Sequence, residues 1–303
     1  MKVVKNISHS IKEKLLKISR DNKINFDTLL LRYLQERILF RLHNSMYDKL
    51  FILKGGLFLF AANSLLARPT KDIDFLGKNI SNDFKVVVDA FKEICLIESN
   101  DGVVFDCTSV MAEHIKEDAD YEGVRLSFDG FLGKAKKRMQ IDIGFGDVVY
   151  PEVEEMIYPS LLDSSFNVYA YSKVSVIAEK FEAMSVLSYA NSRMKDFYDI
   201  HWLLEHNDFD GNELFNAISQ TFRQRGTRID GYKVIFEEDF YKNDDKKTQW
   251  IAFLNRLDKT DVTFEEVILD IMKFLKPVCV AIEENEIFIG RWSCKNLEWL
   301  RKI

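Results

Sequence analysis

Apolar residues recur every three or four positions through residues 26–45, at Leu29, Leu30, Tyr33, Leu34, Ile38 and Leu39. That spacing predicts a helix with one buried face. The same period runs through residues 8–20 and 82–96, and a short apolar run predicts another helix at 55–66. Asp27 is the expected cap of the second helix. The period changes to two in residues 71–76, 103–109 (VVFDCTS), 121–129 (YEGVRLSFD) and 138–145 (RMQIDIGF), and a last strand is expected at 166–171 (FNVYAY). Turn residues between these runs predict a mixed or antiparallel sheet. After Ser172 the pattern is almost wholly helical, over 173–189, 195–206, 211–224, 246–257 and 262–276. The chain therefore reads as α+β: a sheet flanked by helices in residues 1–171, then a helical domain in 172–303.

Composition narrows this picture. The chain has 303 residues, 47% of them hydrophobic and only four of them prolines, which is a globular composition. Its net charge is −6, and its pI is near 5.6. That balance argues against a uniformly basic nucleic-acid coat, although local basic runs occur at Lys134–Arg138 and Arg223–Arg228. Cys95, Cys107, Cys279 and Cys294 are far apart, so buried free thiols are expected rather than a disulfide framework or a zinc site. The N-terminus has no apolar signal core and no run is long enough to span a membrane, so a cytoplasmic protein is expected.

The chemistry concentrates in FILKGGLFLFAANSLLARPTKDIDF, residues 51–75. Residues two apart on a strand share a face, so Asp72 and Asp74 present two carboxylates together while Ile73 and Phe75 face the core. Adjacent carboxylates repel unless a cation lies between them, and the arrangement suits Mg²⁺ carrying substrate phosphates. Gly55 and Gly56, opening a helix, offer bare backbone N–H groups to a phosphate. Asp142 is set between Ile141 and Ile143, where a lone buried carboxylate is costly. It becomes reasonable if its strand lies beside the Asp-x-Asp strand and completes a metal site. In the helical half, Lys180 is placed to reach a triphosphate. Asp196 and Asp199 share a helix face, with Arg193 and Lys195 as further phosphate contacts.

Lys54-Gly55-Gly56, then Arg68-x-Thr70-x-Asp72-Ile73-Asp74-Phe75, Ala178-Glu179-Lys180 and Lys195-Asp196-Phe197-Tyr198-Asp199 resemble the motif series of the AbiEii/AbiGii toxin family. These are nucleotidyltransferase-like proteins of the DNA polymerase β superfamily. The resemblance spans roughly residues 50–205. It implies a bilobed fold and a bacterial toxin encoded with an antitoxin, in an abortive-infection or type IV system, the antitoxin being of the AbiEi kind. Relatives of the MenT type transfer nucleotides to tRNA 3′ ends. By motif, Asp72 and Asp74 would hold Mg²⁺ or Mn²⁺; Asp142, outside the motif series, is the third metal ligand expected from its strand. Lys180, Asp196 and Asp199 join them as catalytic residues. Lys54, Gly55, Gly56, Arg68, Thr70, Lys180 and Lys195 contact the NTP. The wider superfamily often has Gly-Ser where this chain has Gly-Gly, so no serine hydroxyl reaches the phosphate. Residues 1–45 and 210–303 match no motif.

Each feature also has a plainer reading. Asp72 and Asp74 can be solvated acids at a strand end, and Asp142 can pair with a nearby base such as Arg138. Gly55-Gly56 can be a helix-start turn. Lys180 can face solvent, Asp196 can cap a helix, and Asp199 can pair with a neighbouring base. His201 and His206 read as structural. Function is open in the same way: transfer to a protein or small molecule, or nucleotide binding without turnover, are the alternatives to tRNA.

Overall fold

The computed structural model describes residues 6–63, 69–117, 121–259 and 262–300. The chain divides into two compact units, Met1–Gly146 with Glu154–Ala170, and Asp147–Val153 with Tyr171–Ile303.

The first unit contains helices α1 (Ile7–Asn22), α2 (Phe26–His43), α3 (Gly55–Asn63) and α4 (Phe84–Leu96). Its strands are β1 (Phe51–Lys54), β2 (Ile73–Gly77), β3 (Val103–Glu117), β4 (Tyr121–Leu132), β5 (Ala135–Phe145), β6 (Glu154–Tyr158) and β7 (Phe166–Ala170). They form one seven-stranded sheet in the order β3-β4-β5-β2-β1-β7-β6. The sheet is mixed: β2 runs parallel to β5 and β1 parallel to β7, whereas β1–β2, β3–β4, β4–β5 and β6–β7 are antiparallel.

Alternation sets the two faces of the sheet. Ile73, Phe75, Val124, Leu126, Met139, Ile141 and Ile143 are buried, and their polar neighbours in sequence point the other way. Phe51, Phe75 and Phe91 pack with ring centroids 4.8–6.3 Å apart, tying β1 and β2 to α4. The apolar face of α2 is buried as its period predicts, but so are Glu36, Arg37 and Arg41. These charges are paired. Arg41 forks onto both oxygens of Asp101 at 2.7 and 3.2 Å, Arg37 reaches Asp163 at 2.7 Å, and Glu36 accepts from the Ser160 hydroxyl and the Leu161 N–H. Asn25, not Asp27, caps α2: the helix starts at Phe26, as the apolar period implies, so Asn25 holds the preceding position and its side chain accepts from the Asp27 N–H.

The second unit is built on α5 (Lys173–Leu187), α6 (Met194–His206), α7 (Gly211–Gln224), α10 (Asp244–Arg256) and α11 (Phe264–Glu284), with single turns α8 (Tyr232–Ile235) and α9 (Glu238–Tyr241). A Thr263–Glu266 capping box starts α11, which continues through Pro277 to Glu284, well beyond the expected end at residue 276. The unit is not wholly helical. β8 (Phe209–Asp210), β9 (Arg291–Ser293) and β10 (Glu298–Leu300) form a small sheet whose Trp292 and Trp299 pack on Phe274 of α11. Among the described residues no helix is long and apolar enough to cross a membrane. All four cysteines are free, with Cys95 and Cys279 buried and Cys107 and Cys294 half-buried.

Candidate active site

The register of the large sheet places five charged residues in one row. Lys54 lies opposite Asp74, Asp74 beside Asp142, Asp142 opposite Arg125, and Arg125 opposite Glu113. Cross-strand partners share a face, so the row crosses five strands on the side away from the buried apolar residues. A slip of one residue in β2, β4 or β5 would turn its charge into the core, and the apolar alternation of those strands forbids that.

Asp72, just before β2, joins this row. Ligand oxygens of Asp72, Asp74 and Asp142 all lie within 4.8 Å of one another, and the three residues are partly exposed. The donor set is all carboxylate oxygen, the chemistry of a hard cation such as Mg²⁺ or Mn²⁺. The carboxylates are also oriented from behind. The Thr70 hydroxyl donates to Asp72 Oδ1 at 2.5 Å. Arg125 Nε and Nη2 donate to the two oxygens of Asp142, each at 2.8 Å, and Gln140 Nε2 reaches both at 3.3 Å. Hydrogen bonding to Asp142 raises the Arg125 pKa further, aided by the nearby charges of Glu113 and Asp72.

Both glycines of the Gly-Gly pair meet this site. Gly55 begins α3 with φ +68°, and a Cβ built on it would lie 1.9 Å from Asp74 Oδ2 and 2.8 Å from Asp74 Cβ. A Cβ on Gly56 would lie 2.8 Å from the Thr70 Cβ. The strand-to-helix turn is thus pressed against the residues that carry and orient the carboxylates, and the N–H groups that open α3 lie beside them. Lys54 is buried at the end of β1. Arg68 lies outside the described residues.

A second cluster lies wholly within the second unit. Lys180 Nζ on α5 is 2.9 Å from Asp196 and 2.7 Å from Asp199, both on α6, and Arg193 Nε is 2.6 Å from Asp196. Both carboxylates are buried. Burial pushes the Asp196 carboxyl up, but Lys180 and Arg193 outweigh it and hold it below the usual carboxylate range. Asp196 is therefore an ion-pair partner in the first turn of α6, not its cap; the N-cap position is Arg193. Lys195 is exposed.

Several plainer expectations change on this geometry. The base that pairs with Asp142 is Arg125, not Arg138, which goes instead to Asp129 and Ser127. The basic run near the β4–β5 turn is mostly matched, with Lys136 on Asp129 and Lys137 on Asp27. Arg225 is held by Asp147 at 2.9 Å and Glu182 at 2.8 Å, so its charge is matched within the second unit. Arg125 is the residue that sequence reading missed. The available signal was the alternation of β4, where Arg125 and Ser127 share one face and Val124, Leu126 and Phe128 the other.

The family model described as "Nucleotidyl transferase AbiEii toxin, Type IV TA system" matches residues 37–269. Two solved structures share the fold. JHP933 from Helicobacter pylori superposes with a TM-score of 0.51 at 16% identity, over 86% of this chain and 95% of its own. A second H. pylori structure, described as a candidate nucleotidyltransferase, gives 0.50 at 16% identity over 86% of this chain and 99% of its own. No curated protein is detectably similar in sequence.

Proposed function

Because the chain belongs to the AbiEii family of nucleotidyl transferase toxins of type IV toxin–antitoxin systems, we propose that it is a divalent-metal-dependent nucleotidyltransferase. It moves NMP from an NTP to an acceptor hydroxyl, with release of pyrophosphate. The observation that carries this reading is the convergence of Asp72, Asp74 and Asp142 within 4.8 Å, beside a glycine-lined helix start. Family membership and the site both support this reading.

Asp72 and Asp74 are the residues proposed to hold Mg²⁺, with Asp142 as third ligand. When bound, the ion supplies charge neutralisation for the phosphoryl group being transferred and for the leaving pyrophosphate. Gly55 and Gly56 present N–H groups to phosphate oxygens without a side chain in the way. Thr70 fixes the Asp72 carboxylate, and Lys54 places a positive charge next to Asp74 in the sheet. In the second unit, Lys180 is proposed as the nucleotide-binding cation, its side chain set in place by Asp196 and Asp199. Lys195, exposed on the same helix as those aspartates, is a further phosphate contact.

The proposed acceptor is the 3′ end of a tRNA, and the proposed setting is a bacterial cytoplasm with a cognate antitoxin that acts directly or only genetically. A protein or small-molecule acceptor is the second reading. It is favoured by the pairing of Lys136, Lys137, Arg138 and Arg225 with local carboxylates, which leaves fewer basic groups for RNA phosphates. Incubation with total bacterial RNA, Mg²⁺ and each α-labelled NTP tests the proposal. Label on a tRNA-sized band, lost in an Asp72→Asn, Asp74→Asn variant, supports tRNA transfer. Label on protein or on a small product supports the second reading. NTP binding without pyrophosphate release removes the enzymatic proposal.

A further inference from the structure

The charged row contains a pairing that a three-carboxylate metal site does not need. Both oxygens of Asp142 already receive an Arg125 hydrogen bond at 2.8 Å. A forked guanidinium–carboxylate pair is among the stronger and more directional ion pairs. Arg125 is thus a monovalent cation standing on the flank of the Asp72–Asp74–Asp142 cluster, where it offsets carboxylate repulsion. It also has another acceptor within reach. Arg125 Nη1 lies 3.8 Å from Glu113 Oε1 on β3, on the side away from Asp142, and the Glu113 side chain is well exposed.

We propose that Arg125 is an internal counter-cation that competes with the divalent ion for Asp142, passing to Glu113 when Asp142 turns to the ion. In the free protein Asp142 is then held in reserve until a divalent cation reaches the cluster. This rests on the metal reading above and assigns Arg125 and Glu113 the role of setting metal affinity. Neither residue needs to touch the nucleotide.

The competition has a definite sign. Removing one positive charge a few ångströms from a dication's site tightens binding. Arg125→Gln is therefore expected to bind Mn²⁺ at least about tenfold more tightly than wild type. Arg125→Lys keeps the charge but cannot fork both oxygens, so it is expected to fall between the two. Glu113→Gln takes away the fallback acceptor and is expected to weaken Mn²⁺ binding by about two- to threefold. Without metal, Arg125→Gln should melt below wild type, because three carboxylates then face each other without their neighbour, and Mn²⁺ should restore more of its melting temperature.

The experiment is a titration of the full chain with Mn²⁺, without nucleotide, with free Mn²⁺ read by electron paramagnetic resonance. Thermal unfolding in EDTA and in Mn²⁺ accompanies it. Tighter binding by folded Arg125→Gln, with weaker binding by Glu113→Gln, supports the competition. Equal or weaker binding by folded Arg125→Gln overturns it and leaves Arg125 as an orienting partner of Asp142. If Arg125→Gln does not fold, the other two variants decide: Arg125→Lys no tighter than wild type, or Glu113→Gln unchanged, overturns the proposal. Absence of Mn²⁺ binding in every protein, wild type included, removes the metal reading together with this one. Binding by wild type that is lost in Asp72→Asn, Asp74→Asn keeps the metal reading whatever Arg125 does.

Discussion

Gly55 and Asp74 are in contact so close that the first has no room for a side chain: a Cβ on Gly55 would lie 1.9 Å from Asp74 Oδ2. Rotating the carboxylate away does not relieve this, because the Asp74 Cβ would be only 2.8 Å distant. Gly55 also has φ +68°, where an L-residue is disfavoured by about 1–2 kcal/mol. Gly55→Ala is therefore expected to displace β2 from the turn, destabilise the chain by at least about 2 kcal/mol and reduce nucleotidyl transfer at least ~100-fold. Urea unfolding and a single-turnover assay measure the two effects. A Gly55→Ala protein with wild-type activity would show that the Asp74 position does not matter to the reaction.

Neutralising the carboxylates should separate function from stability. Asp72 and Asp74 repel each other and Asp142, but Asp74 also lies opposite buried Lys54 and Asp72 accepts from Thr70, so Asp72→Asn, Asp74→Asn relieves a repulsion and loses an attraction while abolishing the proposed metal site. Activity is expected to fall at least ~100-fold, with unfolding free energy in EDTA changed by no more than about 1 kcal/mol in either direction. A large loss of stability would mean that these residues are structural acids first.

Arg225 gives the opposite outcome. Its guanidinium is half-enclosed and lies against Asp147 and Glu182, with Glu179 at 3.8 Å. Burial alone would lower its pKa, but the carboxylates more than reverse that and hold it charged. Arg225→Gln leaves buried carboxylates without their cation and is expected to cost about 3–5 kcal/mol. Lys134→Gln, on an exposed turn, should change stability by less than about 0.5 kcal/mol. Thermal unfolding distinguishes these. If Arg225→Gln unfolds normally but loses RNA binding, Arg225 belongs to a nucleic-acid surface after all.

What could be read from the sequence was what is local in it. Asp72 and Asp74 are two residues apart, Gly55-Gly56 opens the next helix, and the helices of both units announce themselves by period. Asp142 was recognisable because a carboxylate between two isoleucines demands a reason. Its partner was not, since Arg125 lies 17 residues away and meets it only through the β4–β5 register. Arg225 and Asp147 are separated by 78 residues for the same reason. β1 was missed because Phe51, Ile52, Leu53 and Lys54 are all buried, and a strand covered on both faces has no alternation to detect. β8, β9 and β10 have only two or three residues each, too few for any period.

The Lys180 cluster carries a pH signature whose sign can be worked out. In the native protein the Asp196 carboxyl is held below the usual range, because Lys180 and Arg193 outweigh the effect of burial. A carboxylate with a lowered folded-state pKa contributes stability that is complete above its unfolded value, near ~3.9, and is lost as pH falls through the folded value. Wild type should therefore keep this contribution from pH 7 down to about 5 and shed it below about 4. Lys180→Met removes the largest opposing charge but leaves Arg193 and Lys195, so the folded Asp196 pKa rises toward its unfolded value. The folded and unfolded states then take up the proton over more nearly the same pH range. The acid loss of stability seen in wild type should shrink, flattening the slope. Lys180→Met should also cost about 3–5 kcal/mol at neutral pH, much of it recovered in Lys180→Met, Asp196→Asn. Urea unfolding of the three proteins from about pH 2.5 to 8 reads both effects. A Lys180→Met slope parallel to wild type would show that Lys180 does not govern the charge of Asp196. Its proposed role as a cation fixed in place by the α6 aspartates would then lose its physical basis.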